Sequence, residues 1–356
     1  MKFFSIQNFK QFITPSYKPS IKDRILGLDE LRGIAVLFVL FDHGQLIFYD
    51  GPRVEFLNTL GYFWVDLFFI ISGFLIAKIL ISKKGEIGFF RNFYVRRIFR
   101  IWPLMYVFII LGVLLCYVGP VSNDAPFTVL PYYIFFAQNF IVPFEIGLPL
   151  PGTSPFWSLA IEEQFYLFLP IIVRYVPVKK LSYLILFIFS FSLIARLNFM
   201  NGQEYGFYYT NLKETYFRVH FIALGVLIAL PNYKTNVLIA LIIWLLGYVV
   251  YAPDNGLLEL PLAIIVCVLI VFSINKRPVF RSTILAHFGK ICFGLYVIHY
   301  SIAKFLSVFS LSSTIHMKWG FFIVFLLISY CMALISFHFI EIPTQNLRTK
   351  FEKSKK

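Results

Sequence analysis

The stretch FYVRRIFRIWPLMYVFIILGVLLCYV, residues 93–118, sets a cationic head against an apolar body. Arg96, Arg97 and Arg100 stand at its start, and residues 101–118 carry no charge. About 20 apolar residues in a helix cross the ~30 Å hydrocarbon layer of a bilayer. Arginine and lysine gather at the cytoplasmic end of such helices. The stretch therefore predicts a membrane span entered from the cytoplasm.

The same pattern repeats along the chain. Apolar runs fall at 31–48, 60–81, 101–118, 156–173, 181–197, 216–230, 236–252, 258–274, 285–309 and 319–340. They predict an all-α polytopic membrane protein of about ten transmembrane helices. Composition agrees: 59% of the 356 residues are hydrophobic and 14% charged, against about 25% charged in a soluble domain. A further run, 128–142, is short and holds Pro131, Gln138 and Asn139, which predicts a re-entrant segment. With ten spans and both termini cytoplasmic, 26 lysines and arginines lie inside and 6 outside. If 128–142 crossed as well, the division would be 18 to 14, so the ten-span topology is favoured.

The chain thus divides into an N-terminal cytoplasmic tail (1–30), a transmembrane domain (31–340) and a basic cytoplasmic tail (341–356). No small-residue cleavage site precedes the first run, so no cleaved signal peptide is expected. The short C-terminal tail leads us to expect no appended soluble domain. The net charge of +14 is accounted for by the loops between spans, and nucleic acid is not expected as a partner. Cys116, Cys267, Cys292 and Cys331 are far apart in apolar runs; they read as small buried hydrophobes, and no metal-ligand spacing is present.

Ionisable groups inside a bilayer are costly and are candidates for function. The first span, LRGIAVLFVLFDHG, has Arg32 at its cytoplasmic end and Asp42 and His43 about 16 Å further along. An imidazole there can act as general base or can be a satisfied buried histidine. In the second span, Asp66 can orient a histidine, bind hydroxyls or form a structural ion pair. Ser72 and Gly73 near its middle suit close helix packing. Arg97 and Arg100 share one helical face and match phosphates or anionic lipid. Glu162 and Glu163, adjacent in FWSLAIEEQFYLFLP, point different ways, so one of them faces any given cavity. Tyr296 and His299 share a face deep in the ninth span, where they line a cavity or fill the core. His338 and Glu341 read as fixing a helix end.

Six segments in this order resemble the acyltransferase-3 family of integral-membrane acyltransferases: GLDELRGIAVLFVLFDHG, FFIISGFLI, FYVRRIFRIWP, FWSLAIEEQFYLFLP, FGLYVIHY and IEIP. The Arg-x10-His spacing of Arg32 and His43, and the RxxR of Arg97 and Arg100, carry the likeness furthest. The resemblance implies ten spans and a cytoplasmic acyl-CoA donor, with acetyl-CoA expected and no bound cofactor. It implies an essential His43 and donor binding at Arg97 and Arg100, to which Arg32 at the same mouth is added. The acceptor would be a hydroxyl of an envelope glycan such as lipopolysaccharide, peptidoglycan or exopolysaccharide, or of a lipid-linked precursor. The expected setting is a bacterial inner membrane. Some members carry a fused extracytoplasmic domain, which leaves open a separate extracytoplasmic partner here.

The mechanism expected on this basis has His43 as general base, its ring held by Asp42 or Glu162. Asp66, Glu163, Tyr296, His299 and Ser72 would line the cavity or the acceptor site. An acyl-enzyme step through His43 or Ser72 is the less favoured variant. The alternative reading is a proton-coupled transporter or flippase of a lipid-linked sugar, with the arginines gripping a diphosphate.

Overall fold

A computed structural model describes residues 25–48, 55–118, 126–141, 146, 149–200, 213–251, 259–274, 280–310 and 315–352. Among them there is no β-strand. The helices are α1 (Leu26–Phe48), α2 (Glu55–Ser82), α3 (Phe89–Val118), α4 (Pro126–Ile134), α5 (Trp157–Tyr175), α6 (Val178–Met200), α7 (Thr215–Ala229), α8 (Tyr233–Tyr251), α9 (Glu259–Ile274), α10 (Thr283–Ser310), α11 (Ile315–Ser336) and α12 (Ile342–Leu347). A π-helical turn, Phe337–Glu341, joins α11 to α12.

Among the described residues, seven helical stretches are long and apolar enough to cross a membrane; they lie in α2, α3, α5, α6, α8, α10 and the run from α11 onward. The other three expected spans, α1, α7 and α9, are shorter or carry more charge. The 23-residue α1 carries Asp29, Glu30, Arg32 and Asp42, while α7 and α9 are apolar but only 15 and 16 residues long. The nine residues of α4 extend about 14 Å, less than half the hydrocarbon thickness. The chain then turns through Phe136 at φ 55°. The expected re-entrant segment 128–142 is thus a short helix and a 3₁₀ turn, Gln138–Phe140, with residue 142 outside the described residues. Both termini, 1–24 and 353–356, also lie outside them.

Outer faces present bulky apolar side chains, among them Ile110, Phe168, Val249 and Phe305, as lipid contact requires. Cys116, Cys267 and Cys292 are buried as expected, but Cys331 is exposed on α11. It lies on the same outward side as exposed Leu327 and Ile328, four and three residues before it.

Two helix pairs form the frame of the bundle through reciprocal glycines. Gly33 on α1 lies against the Leu285 carbonyl of α10, and Gly289 on α10 lies against the Asp29 carbonyl of α1. Gly73 on α2 faces the Ile222 carbonyl of α7, and Gly225 on α7 faces that of Ile70. A Cβ at any of these positions would run into the partner's backbone, so only glycine allows the approach. The α1–α10 pair has a second tie. The buried Glu30 carboxylate accepts the backbone N–H groups of Phe280 (3.0 Å) and Ser282 (2.8 Å), and Ser282 Oγ accepts the Leu285 N–H. Both tether α1 to the start of α10, where free N–H groups and the helix dipole favour a carboxylate.

Candidate functional site

The reciprocal packing leaves a cavity of about 1030 Å³ between α1, α2, α3, α5, α10 and the π turn. Arg32, Lys78, Lys83, Arg96, Arg97, Arg100, Lys290 and Arg348 line it, and so do Ser72, Ser158, Glu162, Tyr166 and Tyr296. Of the first set, Arg32 lies early in α1, Lys78 and Lys83 at the end of α2, and Arg96, Arg97 and Arg100 in the first half of α3, while Lys290 is on α10 and Arg348 follows α12. Ser72 is ten residues from the end of α2 at Ser82, about 15 Å. One space therefore joins a cationic mouth to a polar interior.

Arg97 reaches across this mouth. Its guanidinium lies 5.9 Å from the Phe93 ring centroid and 5.8 Å from that of Tyr166. Its buried Nε has no hydrogen-bond partner among the described residues. A guanidinium donor left open beside a cavity is matched to an anionic oxygen. Arg100 and Arg32 line the same space.

Ser158, Glu162 and Tyr166 recur every four residues on α5, which places them on one face. Tyr166 donates to Glu162 Oε2 at 3.0 Å. With its proton so engaged, the Tyr166 oxygen accepts from Ser72 Oγ. Glu162 is thus the member of the carboxylate pair that lines the cavity. Glu163 points away: Trp102 Nε1 donates to its Oε2 at 3.2 Å, and Oε1 is buried with no partner among the described residues.

His43 and His299 are brought together, although they lie 256 positions apart in sequence. His43 Nδ1 is 2.9 Å from His299 Nε2. His299 Nδ1 is 3.0 Å from the Leu295 carbonyl. A carbonyl only accepts, so His299 carries its proton on Nδ1, and neutral His299 accepts at Nε2. His43 then donates from Nδ1, leaving Nε2 with a lone pair. The His43 ring is thus held at Nδ1 by His299, a partner that the sequence reading does not name. Neither histidine lines the cavity. The Tyr300 ring packs edge-on against His43 at 5.3 Å.

Tyr296 does line the cavity, and its hydroxyl is held by Ser158 Oγ (2.6 Å) and the Pro155 carbonyl (2.9 Å). Asp66 does not line it. Its two oxygens accept from Arg218 Nη1 at 2.9 and 3.0 Å, both side chains are buried, and the guanidinium stacks over Trp157 at 5.5 Å. Of the readings open to Asp66, the structural ion pair is the one realised. Glu341, read as a helix-end residue, is buried on the cavity wall and accepts from Ser336 at 3.3 Å. Gly294 leaves the room for its carboxylate. Ser158 and Tyr166 escaped notice in the sequence, although their four-residue spacing from Glu162 was a usable signal.

The profile of the acyltransferase domain matches residues 25–339. The chain is 28% identical over 368 residues to a protein of Staphylococcus aureus (strain COL) provisionally named an O-acetyltransferase, covering 90% of this chain and 57% of that one. It is 25% identical over 382 residues to the O-acetyltransferase OatA of Staphylococcus aureus (strain NCTC 8325 / PS 47), covering 95% of this chain and 58% of that one. The chain therefore spans less than two thirds of the length of these relatives. No solved structure matches. The matched segment includes every helix from α1 to α11, the arginine mouth and both histidines, and the chain belongs to the acyltransferase-3 family.

Proposed function

We propose that this protein is a membrane-bound O-acyltransferase, moving an acetyl group from acetyl-CoA to a hydroxyl of a cell-surface polysaccharide or its lipid-linked precursor. The observation that carries the reading is the continuous cavity joining the arginine mouth to a buried polar interior. The donor phosphates rest on Arg97, Arg100 and Arg32, and the pantetheine arm extends inward past Glu162 and Ser72. His43 Nε2 takes the proton of the acceptor hydroxyl. The oxygen attacks the thioester carbonyl, the C–S bond breaks, and the imidazolium returns its proton to the departing thiolate. The products are CoA thiol and an O-acetyl ester. His299 holds His43 in the reactive tautomer.

In this reading α1, α7 and α9 also cross the bacterial inner membrane, giving ten spans with both termini cytoplasmic. Thiol labelling at Lys179→Cys tests the topology, since reaction from the outer face rules it out. The activity is tested by titrating acetyl-CoA against purified protein and following thermal stabilisation. We expect stabilisation that is lost in Arg97→Ala/Arg100→Ala. No stabilisation at millimolar donor, in folded protein, would turn the assignment to transport of a lipid-linked sugar.

A further inference from the structure

The cavity stops short of the histidines. Ser158 and Tyr296 line it, yet His43 and His299 do not, although the Tyr296 and His299 rings lie only 5.8 Å apart. Tyr296 is 7% exposed and His299 fully buried. One side chain therefore faces the cavity and backs onto the histidine pair.

Tyr296 is also fastened in that position. Its hydroxyl bonds to Ser158 Oγ and the Pro155 carbonyl, and its ring packs against Phe68, another cavity residue, at 6.1 Å. Pro155 belongs to the 3₁₀ turn Ser154–Phe156 ahead of α5. The same segment is tied to α10 a second time, where Ser301 Oγ donates to the Gly152 carbonyl at 3.1 Å. Gly152 stands at φ 77° against Ser301, a conformation and a closeness that suit glycine. The strap thus grips α10 at positions 296 and 301, which bracket His299.

We infer that Tyr296, held by this strap, is a positioning residue that partitions the donor cavity from the His43–His299 pair, and that its release brings the thioester to the base. The inference rests on the proposed donor and base. A closed partition has a physical purpose in a membrane enzyme: an open path from the cationic mouth to the histidines would pass water and ions whenever no donor is bound.

The test uses the full chain in sealed vesicles of known orientation. Cys116, Cys267, Cys292 and Cys331 are replaced by alanine, and Ser72→Cys supplies a thiol inside the cavity without touching the Tyr296 anchors. A charged methanethiosulfonate reagent is then applied to either face. We expect reaction only from the face bearing the arginine mouth. Tyr296→Phe keeps the ring but loses both anchors, and should raise reaction from the opposite face about tenfold, since two net hydrogen bonds are lost. Tyr296→Ala should react from both faces. Equal reaction from both faces with Tyr296 intact, or unchanged sidedness in Tyr296→Phe in protein whose thermal melting is preserved, would overturn the inference. Acetyl-CoA stabilisation measured on the same preparations separates the outcomes: its absence sinks the donor assignment alone, because sidedness is read without donor.

Discussion

His43 Nδ1 lies 2.9 Å from His299 Nε2, and with both rings neutral that contact and the Leu295 carbonyl fix where each carries its proton. The Leu295 carbonyl claims the His299 Nδ1 proton, so the lone pair of His43 is left on Nε2. On the proposed mechanism His299 positions His43, and His299→Ala should lower kcat about 100-fold, the scale of a misplaced reacting group. KM for acetyl-CoA should stay within about twofold, because His299 lies off the donor cavity. The amide oxygen of His299→Gln can still accept from His43 Nδ1 and should recover part of kcat. Unchanged kcat in His299→Ala would sink the role.

Arg97 and Arg100 are expected to hold the donor. Hydrogen bonds to charged groups contribute about 1.5–3 kcal/mol, so Arg97→Ala or Arg100→Ala should each weaken acetyl-CoA binding about 10- to 100-fold by calorimetric titration. Arg97→Lys should restore little, because an ammonium lacks the planar fork and stacks poorly between Phe93 and Tyr166. Full affinity in the lysine variant would argue against a bidentate contact.

Asp66 is predicted to matter for stability rather than for the donor. Removing one member of a buried ion pair costs about 3–5 kcal/mol. Asp66→Asn should therefore lower the unfolding midpoint strongly while leaving the KM for acetyl-CoA unchanged. Adding Arg218→Met to Asp66→Leu should cost less than the sum of the two single changes. Strict additivity would show that the pair is not coupled.

The glycine contacts give a prediction with a built-in control. Alanine is intrinsically better than glycine within a helix, yet Gly33→Ala and Gly289→Ala should each destabilise by about 1–3 kcal/mol through overpacking. Gly85 faces open space, and Gly85→Ala should change stability by less than about 0.5 kcal/mol. Equal effects at all three positions in a denaturant series would contradict the packing.

Outside the spans, Glu352 joins the C-terminal segment to α3 through two bonds from Arg96, each 2.8 Å. Phe351 stacks on Phe99 beside it. Burial alone would raise the Glu352 carboxyl, but the bonds and charge of Arg96, with Arg348 and Lys83, hold it below its ordinary 4.5. A depressed carboxyl stabilises fully above its unfolded value and loses that contribution as pH falls through the folded one. Docking should therefore persist at neutral pH and loosen below 4.5. The contribution is at most about 1 kcal/mol, because the pair is partly solvated. Spin labels at Arg91→Cys and Thr349→Cys would read it as a broadened distance distribution, and Glu352→Gln should show that broadening at pH 7.

Apolar runs and charge placement read well from the sequence because each depends on residues close in the chain. The extent of α3 and the rotation of Glu162 relative to Glu163 both follow from helix periodicity. The pairing of His43 with His299 does not. It requires knowing that the first and tenth helices are neighbours, and Gly33 and Gly289 reveal that only once their backbones are seen to touch. Asp66 fails for the same reason: its partner, Arg218, sits on a distant helix with no local sign of the match. Position alone marks Glu341 as a helix-end residue, whereas it stands in the π turn on the cavity wall.

The contact of Gly33 and Gly289 has one more consequence. It locks α1 to α10, and those two helices carry His43 and His299. On the proposed function, both rings would ride on one locked pair of helices, so their separation would not depend on how the donor enters or the product leaves. The proton geometry of the pair would then be set by helix packing rather than by the contents of the cavity.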